Sequence, residues 1–484
     1  MSEIKFDLEK QHKSGKLHAI ERLRAIAPDF VLSPPVSAED YDGVLVGYGT
    51  VAGKKVYLYA QDFTFHGGTL GWKHGQAIAA AIAEAAEERC PIVGVCDSGG
   101  ARIQEGVRAL AGYGEVFRQN TLASGLIPQI SVVAGPCAGG AVYSPGITDF
   151  VFVIRNMSRL FVTGPQVVES VTHEKISAEE LGGANVHATQ SGVATLAFDT
   201  EEECYQAVQR LLTLLPTRTA VLKKRRRRIR YAAQENPAGL LPDRPNRAYD
   251  VLAVLDCVLD QASLMELSQE FASSIVIGLG TLGGRTVGVA ANQPQVRAGV
   301  LDCDASDKAA RFVRFCDAFA IPILTFVDTP GYLPGLGQEA AGIIRHGAKL
   351  LYAYAEATTI RLTVEMRKAF GGAYIAMGSK HLGADRVYAW PGAQIAVMGA
   401  TGAVQILYGK QLKAMPEEQR AAFLAEKEAA YEAEMMNPDM ALREGYIDRI
   451  LSPEDTRRVL CADLKELSRG LRRRKSRKHG NIPL

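Results

Sequence analysis

Two short glycine runs are the residues whose type and spacing could do chemistry. Ala138-Gly139-Gly140-Ala141 follows the apolar run Ile130–Val133, and Phe370-Gly371-Gly372-Ala373 follows the run Ile360–Val364. Glycines at the end of a strand let backbone N–H groups turn outward with no side chain in the way. A helix starting there aims its positive end at the same point. Two such N–H groups can stabilise an oxyanion or enolate oxygen, usually a large term in catalysis. A single Gly-Gly-Ala also serves helix–strand packing, so either run alone leaves both readings open. Two runs in equivalent places favour the chemical one.

No base accompanies these turns in an obvious way. Glu105 in RIQEG and Glu339 in GQEAAG are candidate general bases. Both sit where a Gly-rich loop enters a helix, and a capping role is an equal reading. His66 and His74 flank Gly67-Gly68-Thr69 and read as loop or supporting residues. The nine histidines are scattered, no H-E-x-x-H occurs, and no metal is expected. Neither G-x-x-x-x-G-K-[ST] nor G-x-S-x-G is present, which argues against a P-loop nucleotide site and a serine-hydrolase elbow.

The elements around the turns read as α/β. Residues 1–40 form a short helical lead-in. Gly43–Ala60 reads as a hairpin, with GVLVGYGTV and VYLYA joined by AGKK. Gly75–Arg89 is Ala-rich and helical. Pro91–Cys96 is a buried strand feeding the turn Asp97-Ser98-Gly99-Gly100, and Ile127–Ala134 is another, ending at Gly135-Pro136. Strands alternating with helices imply an α/β architecture.

The same signals return in the second half. Pro91-Ile92-Val93 and Asp97-Ser98-Gly99-Gly100 recur as Pro322-Ile323-Leu324 and Asp328-Thr329-Pro330-Gly331, 231 residues on. Ala138-Gly139-Gly140-Ala141 recurs as Phe370-Gly371-Gly372-Ala373, 232 residues on. Two copies of one fold in one chain is the economical reading. Gln234–Arg247, rich in Pro, Asn and Asp, reads as the linker, giving domains 1–235 and 236–484.

Composition narrows the class. The chain has 484 residues, 47% of them hydrophobic, with 55 basic and 53 acidic side chains and a net charge of +2. That balance excludes disorder and gives no field pointing to nucleic acid or membrane. The eight cysteines, with no pair at zinc-ribbon spacing, read as buried reduced thiols of an intracellular protein. The charged start, Met1–Lys10, has no signal core. The uncharged stretches Gln119–Thr148 and Tyr388–Gly409 are interrupted by prolines, glycines and polar residues and do not read as spans. A cytoplasmic location is expected.

Eight ordered segments carry a family resemblance. They are DSGGARIQEG (Asp97–Gly106), GPCAGGAVYSP (Gly135–Pro145), ANQPQVRAGVLD (Ala291–Asp302), ASDKAARFVRFCDAF (Ala305–Phe319), VDTPGYLPG (Val327–Gly335), GIIRHGAKLLYAYAEAT (Gly342–Thr358), RKAFGGAYIAMGSKHLGAD (Arg367–Asp385) and RKHGNIPL (Arg477–Leu484). The chain resembles the carboxyltransferase β subunit of biotin-dependent acyl-CoA carboxylases, in its propionyl-CoA carboxylase-like branch, from about residue 9 to the end.

That resemblance implies two tandem crotonase-like (ClpP/crotonase) domains. It implies a homo-hexamer, a dimer of trimers, with each active site between the first half of one subunit and the second half of another. It implies transfer of CO2 from carboxybiotin to the α-carbon of acetyl- or propionyl-CoA, giving malonyl- or methylmalonyl-CoA. The biotin ureido anion then serves as the base, which accounts for the missing one. Carried over by motif, the amides of Gly139 and Gly140 hold the thioester oxygen, and those of Gly372 and Ala373 the biotin ureido oxygen. The Tyr332 backbone lies beside the biotin ring, Gly99, Gly100 and Ala101 line the substrate, and Ile375 borders the acyl pocket.

Some features depart from the family or stay open. The lead-in before Gly43 is shorter than usual, which leaves the acyl preference open; Trp72 receives no role. The basic blocks Lys223–Arg230 and Arg472–Lys478 read as solvated surface, or as contacts to CoA phosphates or an acidic partner. No Ala-Met-Lys-Met biotinylation sequence and no ATP-grasp segment is present. Biotin is therefore expected on a partner biotin carboxylase/carboxyl carrier (α) subunit. The alternatives are a decarboxylase or transcarboxylase subunit acting on methylmalonyl-CoA, a non-catalytic CoA-binding scaffold, and a crotonase-type hydratase or isomerase.

Overall fold

The computed structural model describes residues 6–34, 37–216, 236–242, 244, 247–467 and 481–483. The chain divides into two compact units, Met1–Arg225 and Arg226–Leu484. The expected domain boundary at 235/236 falls at the edge of an undescribed stretch, residues 234, 235, 243, 245 and 246 of the expected linker are not described, and both basic blocks lie outside the described residues. Where the linker is described it is not extended: Pro237–Leu240 forms a 3-10 turn with Pro237 buried.

The first unit carries an eight-stranded sheet. Its strands are Val31–Leu32 (β1), Val44–Val51 (β2), Lys54–Gln61 (β3), Ile92–Ser98 (β4), Gln129–Ala138 (β5), Phe150–Ile154 (β6), Arg159–Phe161 (β7) and Leu196–Phe198 (β8). Their order is β1-β2-β3-β4-β5-β6-β8, with β7 on β5. β1, β2 and β3 pair antiparallel; every other pair is parallel. The β2–β3 hairpin closes on Ala52-Gly53, with φ of 51° and 75°. Those angles belong to a two-residue primed turn, so the two lysines expected in the turn fall inside β3 instead.

The second unit repeats this plan. Its strands are Met265–Leu267 (β9), Ile275–Leu282 (β10), Arg285–Asn292 (β11), Ile323–Thr329 (β12), Arg361–Phe370 (β13), Arg386–Ala389 (β14), Gln394–Ala396 (β15) and Arg449–Ile450 (β16). The order β16-β14-β13-β12-β11-β10-β9, with β15 on β13, follows the first sheet strand for strand. The hairpin turn here is Gly283-Gly284, again with positive φ at both residues.

Parallel strands need crossovers, and the helices supply them. Trp72–Glu88 joins β3 to β4, and Val107–Ala123 joins β4 to β5. Their apolar faces bury Ile78, Ile82, Tyr113 and Val116 against Tyr57, Tyr59, Ile92 and Val133 of the sheet. In the second unit Val254, Leu255 and Leu460 pack with Val287, Val289, Leu324, Phe326 and Trp390. Strands buried on both faces read as continuous apolar runs. That is why β4 and β12 were legible in the sequence.

The strands leading to the glycine runs are longer than expected. β5 does not stop at Gly135-Pro136; it continues to Ala138 by changing partners. Ile130–Val133 pair with β4 and β6, then Pro136–Ala138 pair with β7 after a register shift. A proline sits at such an irregularity because a regular ladder would need its N–H. β13 does the same, exchanging β14 for β15 while Ala369 still pairs with Thr329 of β12 after a register shift. In both units the glycine turn therefore hangs from the overshooting end of a central strand.

Candidate functional site

Gly139 has φ of 62° and Gly371 has φ of 59°, a left-handed conformation costly for any residue with a Cβ. Each stands at the foot of a helical turn: Gly139–Val142 leads into Tyr143–Ile147, and Gly371 opens Gly371–Ala376. The first N–H groups of a helical turn have no acceptor within it. The amides that follow each left-handed glycine therefore have no acceptor within their own helical turn. By backbone conformation Gly139 is the counterpart of Gly371, so Gly140 and Ala141 stand where Gly372 and Ala373 do.

In the first unit Gly99, Gly100 and Ala101 follow β4 directly. A Cβ on Gly100 would meet the Ala138 carbonyl oxygen at 2.9 Å. The Gly99 N–H donates to the Gly67 carbonyl at 3.0 Å and the Gly100 N–H to Ser98 Oγ at 3.1 Å. Ala101 forms a bridge with Leu70. Of the three, Gly100 stands against the turn, and the amides of Gly99 and Gly100 are already engaged. The Tyr113 ring lies under Gly140, 3.4 Å from where a Cβ would stand.

In the second unit Tyr332 packs its ring on the turn. A Cβ on Gly372 would sit 3.6 Å from Tyr332 Cε2, and one on Gly347 3.0 Å from the Tyr332 hydroxyl. Burial pushes that phenol up to about 12. Gly372 is exposed, Ala373 is buried, and Ile375 on the next turn of the helix is 39% exposed, so its side chain is reachable from outside. The bridge Leu301–Tyr332 repeats the bridge Leu70–Ala101 of the first unit.

Of the two candidate bases, Glu105 is otherwise employed. Glu105 caps the helix Trp72–Glu88, accepting the Trp72 N–H at 2.7 Å and pairing with Arg102 at 2.8 Å. Glu339 is exposed in the first turn of Leu336–Ala341. His66 belongs to the 3-10 turn His66–Gly68. His74 is fully buried, its Nδ1 3.0 Å from the Asp42 carbonyl and its Nε2 3.2 Å from Gln61. Burial pulls it down to about 4, so at neutral pH it is an uncharged strut. All eight cysteines are free, five buried and three half-buried. Among the described residues no three His, Cys, Asp or Glu side chains gather as metal ligands, and no helix is long and apolar enough to cross a membrane.

One group that the motifs did not single out is the buried charge cluster on Asp97. Its carboxylate accepts Lys16 Nζ at 2.9 Å and Arg22 Nη1 at 2.8 Å. Arg22 also donates to Glu201 at 2.8 Å and to the Ala134 carbonyl at 2.8 Å. Arg22 and Asp97 are wholly buried. The partners lie 75 to 179 residues apart along the chain, beyond any local pattern. The one available signal was the recurrence of Asp97 as Asp328.

The sequence matches the carboxyl transferase domain family over residues 33–482. It is 50% identical over 451 residues to the propionyl-CoA carboxylase carboxyltransferase subunit of Haloferax mediterranei, covering 92% of this chain and 86% of that one. It is 46% identical over 493 residues to the methylmalonyl-CoA decarboxylase subunit alpha of Veillonella parvula, covering 99% and 95%. The fold superposes on the transcarboxylase 12S crystal structure with a TM-score of 0.90 at 40% identity, covering 99% and 94%. That structure is of a hexamer with methylmalonyl-coenzyme A bound.

Proposed function

The chain belongs to the carboxyl transferase domain family, as a carboxyltransferase of the propionyl-CoA carboxylase type with two tandem crotonase-like domains, and on that premise we propose a division of labour between its turns. Residues 1–235 and 236–484 are its two CoA carboxyltransferase domains. The amides of Gly140 and Ala141, one residue on from the Gly139 and Gly140 that the motif suggests, hold the thioester oxygen of a short acyl-CoA, and those of Gly372 and Ala373 hold the ureido oxygen of biotin. The observation that carries this reading is the pair of left-handed glycines, each opening a helical turn at the end of an overshooting strand.

The chemistry follows from what this chain can and cannot supply. Negative charge grows on the thioester oxygen as the α-proton leaves, and fixed N–H dipoles there lower the barrier without reorganising. Neither Glu105 nor His74 is free to take that proton. Carboxybiotin, carried by a partner subunit, would supply both the CO2 and the base. The Tyr332 ring on Gly372 gives the biotin ring a flat apolar wall beside those two amides, and the exposed Gly372 leaves room to approach. Ile375 sets an apolar border that suits an acetyl or propionyl group. Holding the two reactants in fixed geometry turns a bimolecular step into a positional one.

The partners follow the same logic. Large apolar side chains are exposed in both units: Ile103, Val107 and Leu110 in the first, Leu336 and Ile344 in the second. Apolar patches of this kind favour burial against another copy. A homo-hexamer with a biotin carboxylase/carboxyl carrier partner is the assembly we propose. The same site serves carboxylation, or decarboxylation as in the Veillonella parvula relative.

The test needs no partner. The purified chain is mixed with free biotin and malonyl-CoA or methylmalonyl-CoA, and formation of acetyl- or propionyl-CoA is followed. Biotin-dependent turnover is expected, and the faster substrate identifies the acyl pocket. Binding of the CoA ester without turnover would replace the enzyme with a scaffold or a partner-gated site.

A further inference from the structure

Asp97 and Asp328 occupy the same place in the two units, one residue before the end of the central strands β4 and β12. Each backbone N–H donates to the amide side chain that ends the neighbouring strand: Asp97 to Gln61 Oε1 and Asp328 to Asn292 Oδ1, both at 3.3 Å. The carboxylates are then held differently. Asp328 takes its cation and a backbone donor from β13, the Arg367 guanidinium and the Lys368 N–H, each at 3.2 Å, with Tyr249 as a further neighbour. The repeat places Gly135 and Pro136 of β5 at the positions of Arg367 and Lys368. Glycine has no side chain and proline no N–H, so β5 can make neither contact. A Cβ on Gly135 would lie 2.0 Å from Asp97 Oδ1, so the carboxylate rests on the strand.

We propose that Arg22 and Lys16 of the lead-in supply what β5 lacks, and that they are positioning residues for the first Gly-Gly-Ala turn. This rests on the functional reading above. Arg22 spans the gap: Nη1 to Asp97, Nη2 to the Ala134 carbonyl, Nε to Glu201. It thereby ties β4, the overshooting end of β5 and the helix Glu201–Leu214 together five residues before Gly139. Lys16 adds a second cation on both Asp97 oxygens. Two cations against Asp97 and Glu201 leave the buried cluster neutral, which is the condition for keeping charges out of water. The second unit achieves the same with Arg367 and its own strand. The first turn thus depends on cations of the lead-in, whereas the second takes its cation from its own strand, with Tyr249 packed beside Arg367.

The experiment compares Arg22→Met, Lys16→Met and the unaltered chain by hydrogen exchange and by biotin-dependent turnover. Arg22→Met is expected to speed exchange in residues 134–143 while leaving 360–376 as in the unaltered chain. Its kcat is expected to fall by about 10²-fold, the effect of a misplacement near 1 Å. Lys16→Met, which keeps Arg22, gives a smaller change in the same direction and serves if Arg22→Met does not fold. Unchanged exchange in 134–143, or a rise shared equally by both turns, would overturn the proposal. If the unaltered chain itself shows no turnover, the functional reading fails, and the exchange comparison still decides the positioning role.

Discussion

Replacing Gly372 by alanine and by proline separates the backbone amide from the space around it. Gly372 is the second residue of the helix Gly371–Ala376 and is absent from the positive-φ glycines. An added Cβ makes an ordinary contact, 3.6 Å from Tyr332 Cε2. Gly372→Ala keeps the N–H and gains up to about 1 kcal/mol of helix propensity. Its kcat is expected to stay within about threefold of the unaltered chain, since no donor is lost. Gly372→Pro removes the N–H at a position in the first helical turn where the ring is tolerated. Losing one donor to a developing oxyanion costs about 2.7–4 kcal/mol, or about 10²–10³ in kcat. The neighbouring Gly371, at φ 59°, is restricted by a following proline, so a thermal melt accompanies the kinetics. The assay is biotin-dependent decarboxylation of methylmalonyl-CoA, with KM measured for biotin and for the CoA ester separately. A proline variant within about threefold of the unaltered kcat and with an unshifted melt would refute the amide's role. A loss of equal size in the alanine variant would show that space at Tyr332, not the amide, matters.

Three further outcomes are expected. His74, buried among Asp42, Arg102 and Glu105 and pulled down to about 4, binds its proton less readily folded than unfolded. Its contribution is intact above about pH 6.5 and is lost as pH falls toward 4, by roughly 3 kcal/mol, so His74→Gln should flatten the acid limb of a pH–stability profile. Glu365 on β13 is wholly buried, neither oxygen has a partner among the described residues, and burial pushes its carboxyl well above 4.5. The folded chain keeps that proton, stability falls as pH rises past about 4.5, and Glu365→Leu should raise the melting temperature at pH 8 by relieving about 1–3 kcal/mol of unmet polar burial. An unchanged melt would show a partner for that carboxyl. Gly135→Ala places a Cβ 2.0 Å from Asp97 Oδ1 and should abolish soluble expression or turnover, whereas Gly114→Ala, with nothing within 4 Å, should leave both unchanged.

The legible part of the site was the local part. Asp97-Ser98-Gly99-Gly100 and the Gly-Gly-Ala runs could be read because glycine types and apolar strand runs are short-range signals, repeated at one spacing. Strand ends were less legible. The expected stop at Gly135-Pro136 failed because β5 changes partners there, and a partner change depends on β7, whose residues lie 23 positions on from those they pair with. Glu105 looked like a base on residue type alone; its contact with the Trp72 N–H, made across a loop, shows a cap.

The sequence by itself determined the duplicated α/β plan, the two turns and the family, because buried parallel strands and left-handed glycines leave marks within a few residues of themselves. Only the tertiary structure decided how the turns are held. Arg22 meets Asp97, Ala134 and Glu201 in one buried cluster, while Arg367 meets Asp328 from the neighbouring strand. The physical reason is burial: in a low-dielectric interior each carboxylate must find a cation or an N–H wherever the fold brings one, and chain distance does not enter that condition.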